Sequence, residues 1–312
     1  MAKDLLVGST GFVGGNLAEK HAFAAVCHST DIAAQFGAKP DLCVYAGVPA
    51  AMFLANADPD ADLAVMAAAR ENLRQIAPKQ LVLISSIAVY ADSRGKDEQS
   101  PMTPDGLPAY GRNRLQLERW VREDYPNALI VRLPALYGIG LKKNFLFDLH
   151  TITPAMLRPE KYSEMDLTLV DAVRTALVRD GYTLADNGFY KLNGAVDAAA
   201  LREFFAGNDF NALAFTDSRS RYQFYHLARL WQDVQTALQN GLTTLNLTTP
   251  PVTEVYTTVT GKADWQNELP KPPFDYDLRS RHAALLGGAD GYLCTKQQEL
   301  DEICAFMRAW RN

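Results

Sequence analysis

The chain has 312 residues, a length that suits two connected lobes or one large α/β unit better than a single small domain. With 48% hydrophobic and 21% charged residues it has the balance of an ordinary soluble, well-cored protein. The formal net charge is −5, and scattered Lys and Arg form no basic run longer than Lys142-Lys143, which excludes a phosphate-backbone binder; nucleic acid is not an expected partner.

The first half alternates short apolar runs with helical patterns, the mark of βαβ units on a parallel sheet. Leu5-Leu6-Val7 reads as a strand ending at Gly8, residues from about Gly14 to Phe23 as a helix, and Ala24 to Cys27 as a second strand. Asp41 to Ala46 is a buried strand after Lys39-Pro40, and the Ala-rich stretch Asp62 to Ile76 is a helix stopped by Pro78. Leu81 to Ile84 is the next strand and runs into Ser85-Ser86. A helix follows from Tyr110 to about Glu123, then a strand from Ala128 to Leu133 closed by Pro134. Residues 141–165 carry prolines, aromatics and weak periodicity, and read as a substrate-facing region instead of a further βαβ unit. Asp197 to Phe205 and Tyr222 to Leu238 read as helices, with Gly207 and Gly241 as stops. Thr295-Lys-Gln-Gln298 resembles a capping box opening a C-terminal helix through Trp310.

The fold class is therefore α/β, a doubly wound parallel sheet of Rossmann type. Residues 1–140 form the domain built on that sheet, and the glycines at positions 8, 11 and 14, between its first strand and first helix, make it the expected dinucleotide-binding domain. Residues 141–312 are mainly a smaller substrate lobe, interleaved because some segments return to the first domain. Cys27, Cys43, Cys294 and Cys304 form no CxxC pair and read as reduced thiols of a cytoplasmic protein. Dispersed His21, His28, His150, His226 and His282 give no metal site. The N-terminus enters a strand at once, leaving no room for a signal peptide, and no apolar run approaches the ~20 residues of a membrane helix.

Gly8-Ser9-Thr10-Gly11-Phe12-Val13-Gly14 is a GxxGxxG placed between a strand and a helix. Glycines there let the backbone approach a pyrophosphate, and the helix N-terminus offers free N–H groups and a favourable dipole. The competing reading is a tight turn that needs glycine and binds nothing. An NAD-specific fold places an acid at the end of the second strand. Here that place reads Cys27-His28-Ser29-Thr30, with Asp31 slightly late and no Arg or Lys beside it, so NAD and NADP both stay open.

Tyr110 and Arg114 are four apart on one helix face, ~5–6 Å between Cβ atoms. Ser86 ends a strand on the carboxyl edge, where ligands of such sheets bind. A phenol is a poor acid or base at neutral pH until a cation stabilises its anion. Arg114 is a candidate for that charge, Ser86 for the hydrogen bond to the reacting oxygen, and Tyr110 for the proton transfer. Singly, these residues also read as a helix-start aromatic, a strand-end serine and a solvated arginine. Asp58-Pro-Asp60-Ala-Asp62 is acidic, with Asp62 read as a helix cap. Arg219-Ser-Arg221 reads equally as a phosphate contact or a solvated pair. Tyr222, Phe224, Tyr225 and Trp231 read as core.

With these pieces in place, the chain resembles the NAD-dependent epimerase/dehydratase branch of the extended short-chain dehydrogenases/reductases. The resemblance rests on the glycine loop, Asp41-Leu-Cys-Val-Tyr-Ala-Gly47, Leu83-Ile-Ser-Ser-Ile-Ala-Val-Tyr90, Tyr110-Gly-Arg-Asn-Arg114 and Val131-Arg-Leu-Pro-Ala-Leu-Tyr-Gly138. It covers residues 1–140 well and the later half more faintly, through Tyr222 to Leu238, Leu245-Asn-Leu and Thr260-Gly-Lys262. It implies a catalytic Ser86 and Tyr110, Pro134 lining the nicotinamide pocket, and Ala46-Gly47 passing the cofactor ribose. It further implies Asn144-Phe145 at the diphosphate of a nucleotide sugar. Asp31-Ile32 is similar to the pair near the adenine in reductases of dTDP-4-dehydrorhamnose type.

Arg114 departs from the family, which has Lys there. Arg keeps the charge and can reach ribose hydroxyls but cannot give up a proton. Ile87-Ala88 stand where the family's 4,6-dehydratases have two acids, which disfavours dehydration. The resemblance implies an NAD- or NADP-dependent oxidoreductase, reductase or epimerase (the last an isomerase) acting on a nucleotide sugar. The implied site is Tyr110, Ser86 and Arg114, with Asn144 toward the substrate; Arg221 joins it from the reading of Arg219-Ser-Arg221 as a phosphate contact, and a homodimer is the family-level expectation. The rival is a sensor or scaffold of the same fold that binds the dinucleotide without chemistry.

Overall fold

The computed structural model describes residues 3–168, 172–208, 210–262 and 265–310. In chain order the elements open with β1 (Asp4–Val7), α1 (Phe12–Lys20), β2 (Ala25–Cys27), β3 (Leu42–Tyr45), α2 (Met52–Ala57), α3 (Pro59–Ile76) and β4 (Gln80–Ser86). There follow α4 (Ala109–Asp124), β5 (Leu129–Leu133), β6 (Ala135–Tyr137), α5 (Phe145–Thr151), β7 (Met156–Leu157), α6 (Pro159–Thr168) and α7 (Ala172–Gly181). The remainder comprises β8 (Tyr182–Leu184), β9 (Tyr190–Leu192), α8 (Ala198–Ala206), β10 (Phe224–His226), α9 (Leu230–Gln239), β11 (Thr244–Asn246), α10 (Val255–Thr260) and α11 (Lys296–Trp310). They fall into two compact units. The first holds the chain to Leu141, Arg221–Val255 and Phe274–Phe306; the second holds Lys142–Ser220, Tyr256–Pro273 and the chain from Met307.

The first unit is built on a six-stranded sheet of order β11-β5-β4-β3-β1-β2, parallel throughout. Successive side chains of a strand leave on opposite faces, so a sheet covered on both sides is made of continuous apolar runs. On one face Leu5, Val7, Cys43 and Tyr45 pack with Met66 and Leu73 of α3 and Leu117 of α4. On the other, Leu6, Val44 and Val82 pack with Leu17 of α1 and Val234 and Ala237 of α9. The chain leaves β1 toward β2 and returns past it to β3, so the order reverses between β1 and β3. A crevice opens at such a switch point, outside the carboxyl ends of the strands. β2 is an edge of three residues, and a short 3-10 turn (Ile32–Gln35) stands where the chain passes on to β3.

Three local expectations are corrected. The first helix begins at Phe12 instead of Gly14, because Gly11 is its N-cap, and stops at Lys20, where the extended His21 turns its ring onto Asp4 and Trp231. The acidic run caps α3 through Asp58, whose carboxylate accepts from Ala61 N at 3.1 Å with Pro59 in the first turn; Asp62 is not the cap. The stretch from Tyr222 to Leu238 is not one helix. Phe224 and Tyr225 are both fully buried on a strand parallel to β6, and the helix starts only at Leu230. An unbroken apolar run fits a buried strand and a buried helix equally well, and here parallel pairing decided. The core reading of Phe224 and Tyr225 holds.

The second unit has an antiparallel sheet of order β7-β9-β8 beside α6, α7 and α8. Leu157, Val178, Tyr182, Leu201 and Phe205 form its core. The thiols of Cys27, Cys43, Cys294 and Cys304 are all free, and burial pushes that of Cys294 up to about 12.

Candidate functional site at the carboxyl edge of the sheet

The glycine loop joins β1 to α1. Gly8 has φ +90, a conformation L-residues rarely adopt, and its N–H donates to Cys27 O at 2.8 Å. A Cβ on Gly8 would stand 2.6 Å from Ala46 O, and one on Gly14 would stand 2.1 Å from Gly8 O. The three chain segments therefore touch backbone to backbone. Gly11 caps α1 without a side-chain hydrogen bond, and no acid lies in the first turn. The leading N–H groups of α1 thus remain for an outside acceptor, at the positive end of the helix dipole. The residues present fit a dinucleotide pyrophosphate: a cradle without side chains, at the switch point, faced by a helix N-terminus.

Around the cradle, Ala46 N donates to Val7 O at 2.9 Å, which seats Ala46-Gly47 beside the loop. His28 follows β2, and its Nδ1 lies 3.3 Å from Ser9 Oγ and 3.2 Å from Thr10 Oγ1. Its backbone N–H donates to Asp31 Oδ1 at 2.5 Å. That bond folds the late acid back to the end of the strand.

Ser86 ends β4, and its Oγ accepts from Ala88 N at 3.2 Å. Tyr110 lies in the first turn of α4 with its N–H held by Asn56 Oδ1 at 2.9 Å. What brings α4 against the strand end is Gly111: a Cβ there would meet Ala88 O at 2.1 Å. Any larger residue would drive Tyr110 away from the Ser86–Ala88 turn. Ser86 and Tyr110 are thus brought to the same edge of the sheet, as expected from their positions, but Gly111 and Asn56 were not foreseen. A small residue directly after the tyrosine was the only signal for the former, and nothing in the sequence pointed to the latter.

Arg114 is where the structure departs most from expectation. It is 4% exposed, with Nη1 2.5 Å from Asp62 Oδ2 and Nη2 2.5 Å from Pro49 O. Its Cζ lies 3.8 Å from the centre of the Tyr110 ring. Asp62 also accepts from Asn113 Nδ2 at 2.9 Å. The expected free positive charge is therefore balanced inside the protein, and its two terminal nitrogens bind the loop after β3 and the first turn of α3. Asp62, read as a cap, is instead the counter-ion.

A second buried pair supports the strand ends. Arg132 on β5 and Glu118 on α4 make a two-pronged contact (Nη2 to Oε2 at 2.6 Å), Ser85 Oγ donates to Glu118 at 2.6 Å, and Arg132 Nη1 donates to Tyr90 at 2.6 Å. Burial works against the Arg132 charge, but Glu118 outweighs it and holds the guanidinium well above its ordinary range. Pro134 lies between β5 and β6, half-buried.

The remaining predicted residues are engaged within their own units. Arg221 donates through Nε to Asp275 at 2.5 Å, and Arg94 pairs with the same carboxylate, so the charge of Arg221 is paired although its side chain is part-exposed. Arg219 pairs with Asp217 and Glu268. In the second unit Asn144 (φ +100) caps α5, its side chain accepting from Leu146 N at 3.0 Å and Phe147 N at 3.3 Å.

Comparison with known proteins agrees with this geometry. Residues 3–156 match the family model described as the RmlD substrate binding domain. No curated protein gives a significant sequence match. Among solved structures, the chain is similar to UDP-glucose 4-epimerase from Thermotoga maritima with UDP-glucose, at a TM-score of 0.62 and 11% identity over 99% of this chain and 98% of that one. It is also similar to dTDP-4-dehydrorhamnose reductase from Bacillus anthracis in complex with NADP, at 0.61 and 13% over 97% and 98%. A short-chain dehydrogenase/reductase superfamily protein from Agrobacterium tumefaciens with bound NAD matches at 0.59 and 15%, over 99% and 97%. The glycine cradle at the switch point, the serine and tyrosine on one sheet edge and the match over residues 3–156 agree with one another: the first unit has the Rossmann-like α/β fold of these structures, and residues 3–156 are similar to the RmlD substrate binding domain.

Proposed function

We propose that the chain is an NAD- or NADP-dependent oxidoreductase, a reductase or an epimerase, acting on a nucleotide-linked sugar. The observation that supports this reading is the seating of Gly111 on Ala88, which packs the start of α4, with Tyr110, against the turn that follows Ser86 at the carboxyl edge of the sheet. A pure binder has no need of both side chains there.

When bound, the nicotinamide supplies or accepts hydride. The protein's part is to bind, orient and move a proton. Gly8, Thr10, Gly11, Phe12, Val13 and Gly14 hold the pyrophosphate, Ala46-Gly47 and Asp31 line the path of the adenosine, and Pro134 walls the nicotinamide side. Ser86 Oγ donates to the reacting sugar oxygen. Tyr110 passes its phenolic proton to that oxygen, or takes one from it in the reverse direction. No hydrogen bond reaches the Tyr110 hydroxyl among the described residues, which leaves it for the substrate. Arg114 acts through Tyr110: its guanidinium lies against the ring face and fixes the aromatic plane. Asn144 and Arg221 are proposed on the substrate side.

The test is Tyr110→Phe. Turnover of a nucleotide sugar, followed by nicotinamide absorbance, is expected to fall by about 10²–10⁴-fold, with calorimetric affinity for the dinucleotide kept. Unchanged turnover would overturn the mechanism. The Arg114–Asp62 pair favours a second reading, a dinucleotide sensor without chemistry, since a balanced cation gives the phenol less assistance. Tight dinucleotide binding by the wild type with no turnover across a panel of nucleotide sugars would select it.

A further inference from the structure

At Phe274 the chain re-enters the first unit, and the segment to Leu278 is held from both sides. Asp277 N donates to Ser93 O at 2.8 Å and Gly95 N to Asp277 O at 2.7 Å. Tyr276 N donates to Arg221 O at 3.2 Å, and Leu278 N to Gln223 Oε1 at 2.9 Å. Side chains of an extended segment alternate between two faces. Asp275 and Asp277 take one face, where Arg94 and Arg221 pair with the first and Tyr292 and Arg279 engage the second. Phe274, Tyr276 and Leu278 take the other. Leu278 is buried, and the Phe274 ring stands 5.8 Å from that of Tyr276 at 13°, which fixes the plane of the phenol.

Tyr276 packs against the apolar cluster that contains Ile87, Leu107 and Leu115. Ile87 directly follows Ser86, Leu107 stands just ahead of α4, and Leu115 lies on α4. Tyr276 therefore covers the turn and the helix start that carry Ser86 and Tyr110. The two phenols are close enough to interact: burial first, and the Tyr110 phenol second, push Tyr276 up. Where two like acids share a site, the charge of one opposes the charge of the other. Tyr276 thus keeps its proton when Tyr110 gives one up, which makes it a donor and not a second base. Neither its hydroxyl nor that of Tyr110 has a hydrogen-bond partner among the described residues, and neither oxygen is sealed from solvent. A phenol set in apolar surroundings ordinarily bonds through its oxygen. Here the partner has to come from outside the chain.

We propose that Tyr276 is a second substrate-contacting phenol of this centre, a specificity-determining residue that donates to a sugar oxygen adjoining the one on which Tyr110 acts. It selects nucleotide sugars that carry an acceptor oxygen beside the reacting carbon over those that are deoxygenated there. The proposal rests on the reading of Ser86 and Tyr110 as the reacting pair, and it adds a residue from outside residues 3–156.

The test labels the full chain with fluorotyrosine and assigns two fluorine NMR signals through Tyr110→Phe and Tyr276→Phe. UDP- and dTDP-linked hexoses are the probes, and UDP and dTDP are the controls without sugar. In the ligand-free chain, Tyr110→Phe is expected to move the Tyr276 signal. A probe sugar is expected to move both signals, and the bare diphosphates neither. Tyr276→Phe should weaken calorimetric binding of the nucleotide sugar about tenfold. Its affinity for UDP, dTDP and the dinucleotide should match the wild type, which reports that the fold is intact. In turnover the loss should appear in KM more than in kcat, the reverse of Tyr110→Phe. Equal binding of the sugar by the wild type and Tyr276→Phe would overturn the proposal. So would an equal loss for the bare diphosphate, which makes Tyr276 a packing residue. If the Tyr110 signal answers the sugars and the Tyr276 signal does not, this proposal falls and the reading of Tyr110 stands. If neither signal answers any of them, both fall.

Discussion

Arg114 carries two loads at once. Its guanidinium lies against the Tyr110 ring, and its terminal nitrogens join Asp62 on α3 to Pro49 after β3. Both members of the ion pair are withdrawn from water, at 4% and 10% side-chain exposure. Removing one partner of such a pair strands the other's charge, which costs far more than the pair contributes as a whole. Arg114→Ala and Asp62→Ala should therefore each lower the unfolding free energy by about 3–5 kcal/mol. The double replacement Arg114→Ala/Asp62→Ala should cost clearly less than the sum of the two single changes. Denaturant melts of the four proteins check this as a double-mutant cycle. Additive effects, or single changes within about 0.5 kcal/mol of wild type, would mean the pair is solvated and the tyrosine platform is held by something else. The arginine was legible in the sequence; its counter-ion was not, because the two residues are 52 positions apart and only the packing of α3 on α4 joins them.

At the scale of elements, α11 was legible from its ends. Thr295 N–H donates to Gln298 Oε1 at 2.8 Å and Gln298 N–H to Thr295 Oγ1 at 3.2 Å, the reciprocal capping that the spacing implied. What α11 does to its neighbour was not legible. Glu299 reaches the start of β10, where Oε1 accepts from Phe224 N at 2.9 Å and Thr249 Oγ1 at 3.0 Å, while buried Oε2 has no hydrogen-bond partner among the described residues. Burial pushes this carboxyl up to about 8, against the two hydrogen bonds that favour its charged form. The sign of the effect on stability follows from proton counts. Between the ordinary value of 4.5 and about 8, the folded protein holds a proton that the unfolded chain has lost. Stability from this group is full below 4.5 and is lost as the pH rises toward 8, by about 1.4 kcal/mol per unit inside the window. Glu299→Gln keeps the acceptor for Phe224 and cannot ionise. Its melting temperature should be less dependent on pH than that of the wild type between pH 5 and 8, with the gap in the variant's favour widening upward. Parallel curves for the two proteins would place the charge elsewhere. The same contact explains why β10 was misread as helix: its backbone partners, β6 and the Glu299 carboxylate, come from 75 or more positions away.

Across the whole molecule, legibility follows the distance over which the fold is assembled. The first half is a run of local units in which β1, β3 and β4 are each followed by an α-helix and β2 only by a 3-10 turn, and glycines and prolines mark the joints. Right-handed crossovers then narrow the sheet orders such a run can take. The later half supplies β10, β11 and α11 to the first unit while Tyr256–Pro273 returns to the second. No local periodicity announces such returns. Within the glycine loop the same logic separates what the fold needs from what a ligand needs. Gly8 and Gly14 are fixed by the fold, since a side chain on either would strike backbone. Gly11 is not: at φ −72 and ψ 165 it is ordinary extended chain, and a Cβ would meet nothing closer than Gly8 O at 3.2 Å. The fold can accept alanine there with a shift of a few tenths of an ångström, so the missing side chain speaks for the space a pyrophosphate would fill. Gly11→Ala should therefore unfold within about 0.5 kcal/mol of the wild type when no ligand is present. The wild type should gain about 2.7 kcal/mol from NAD or NADP at a hundred times the dissociation constant. The variant, at that same ligand concentration, should lose most of this gain. If instead it keeps the full gain, Gly11 serves the turn alone and the dinucleotide must be held by other parts of the sheet edge.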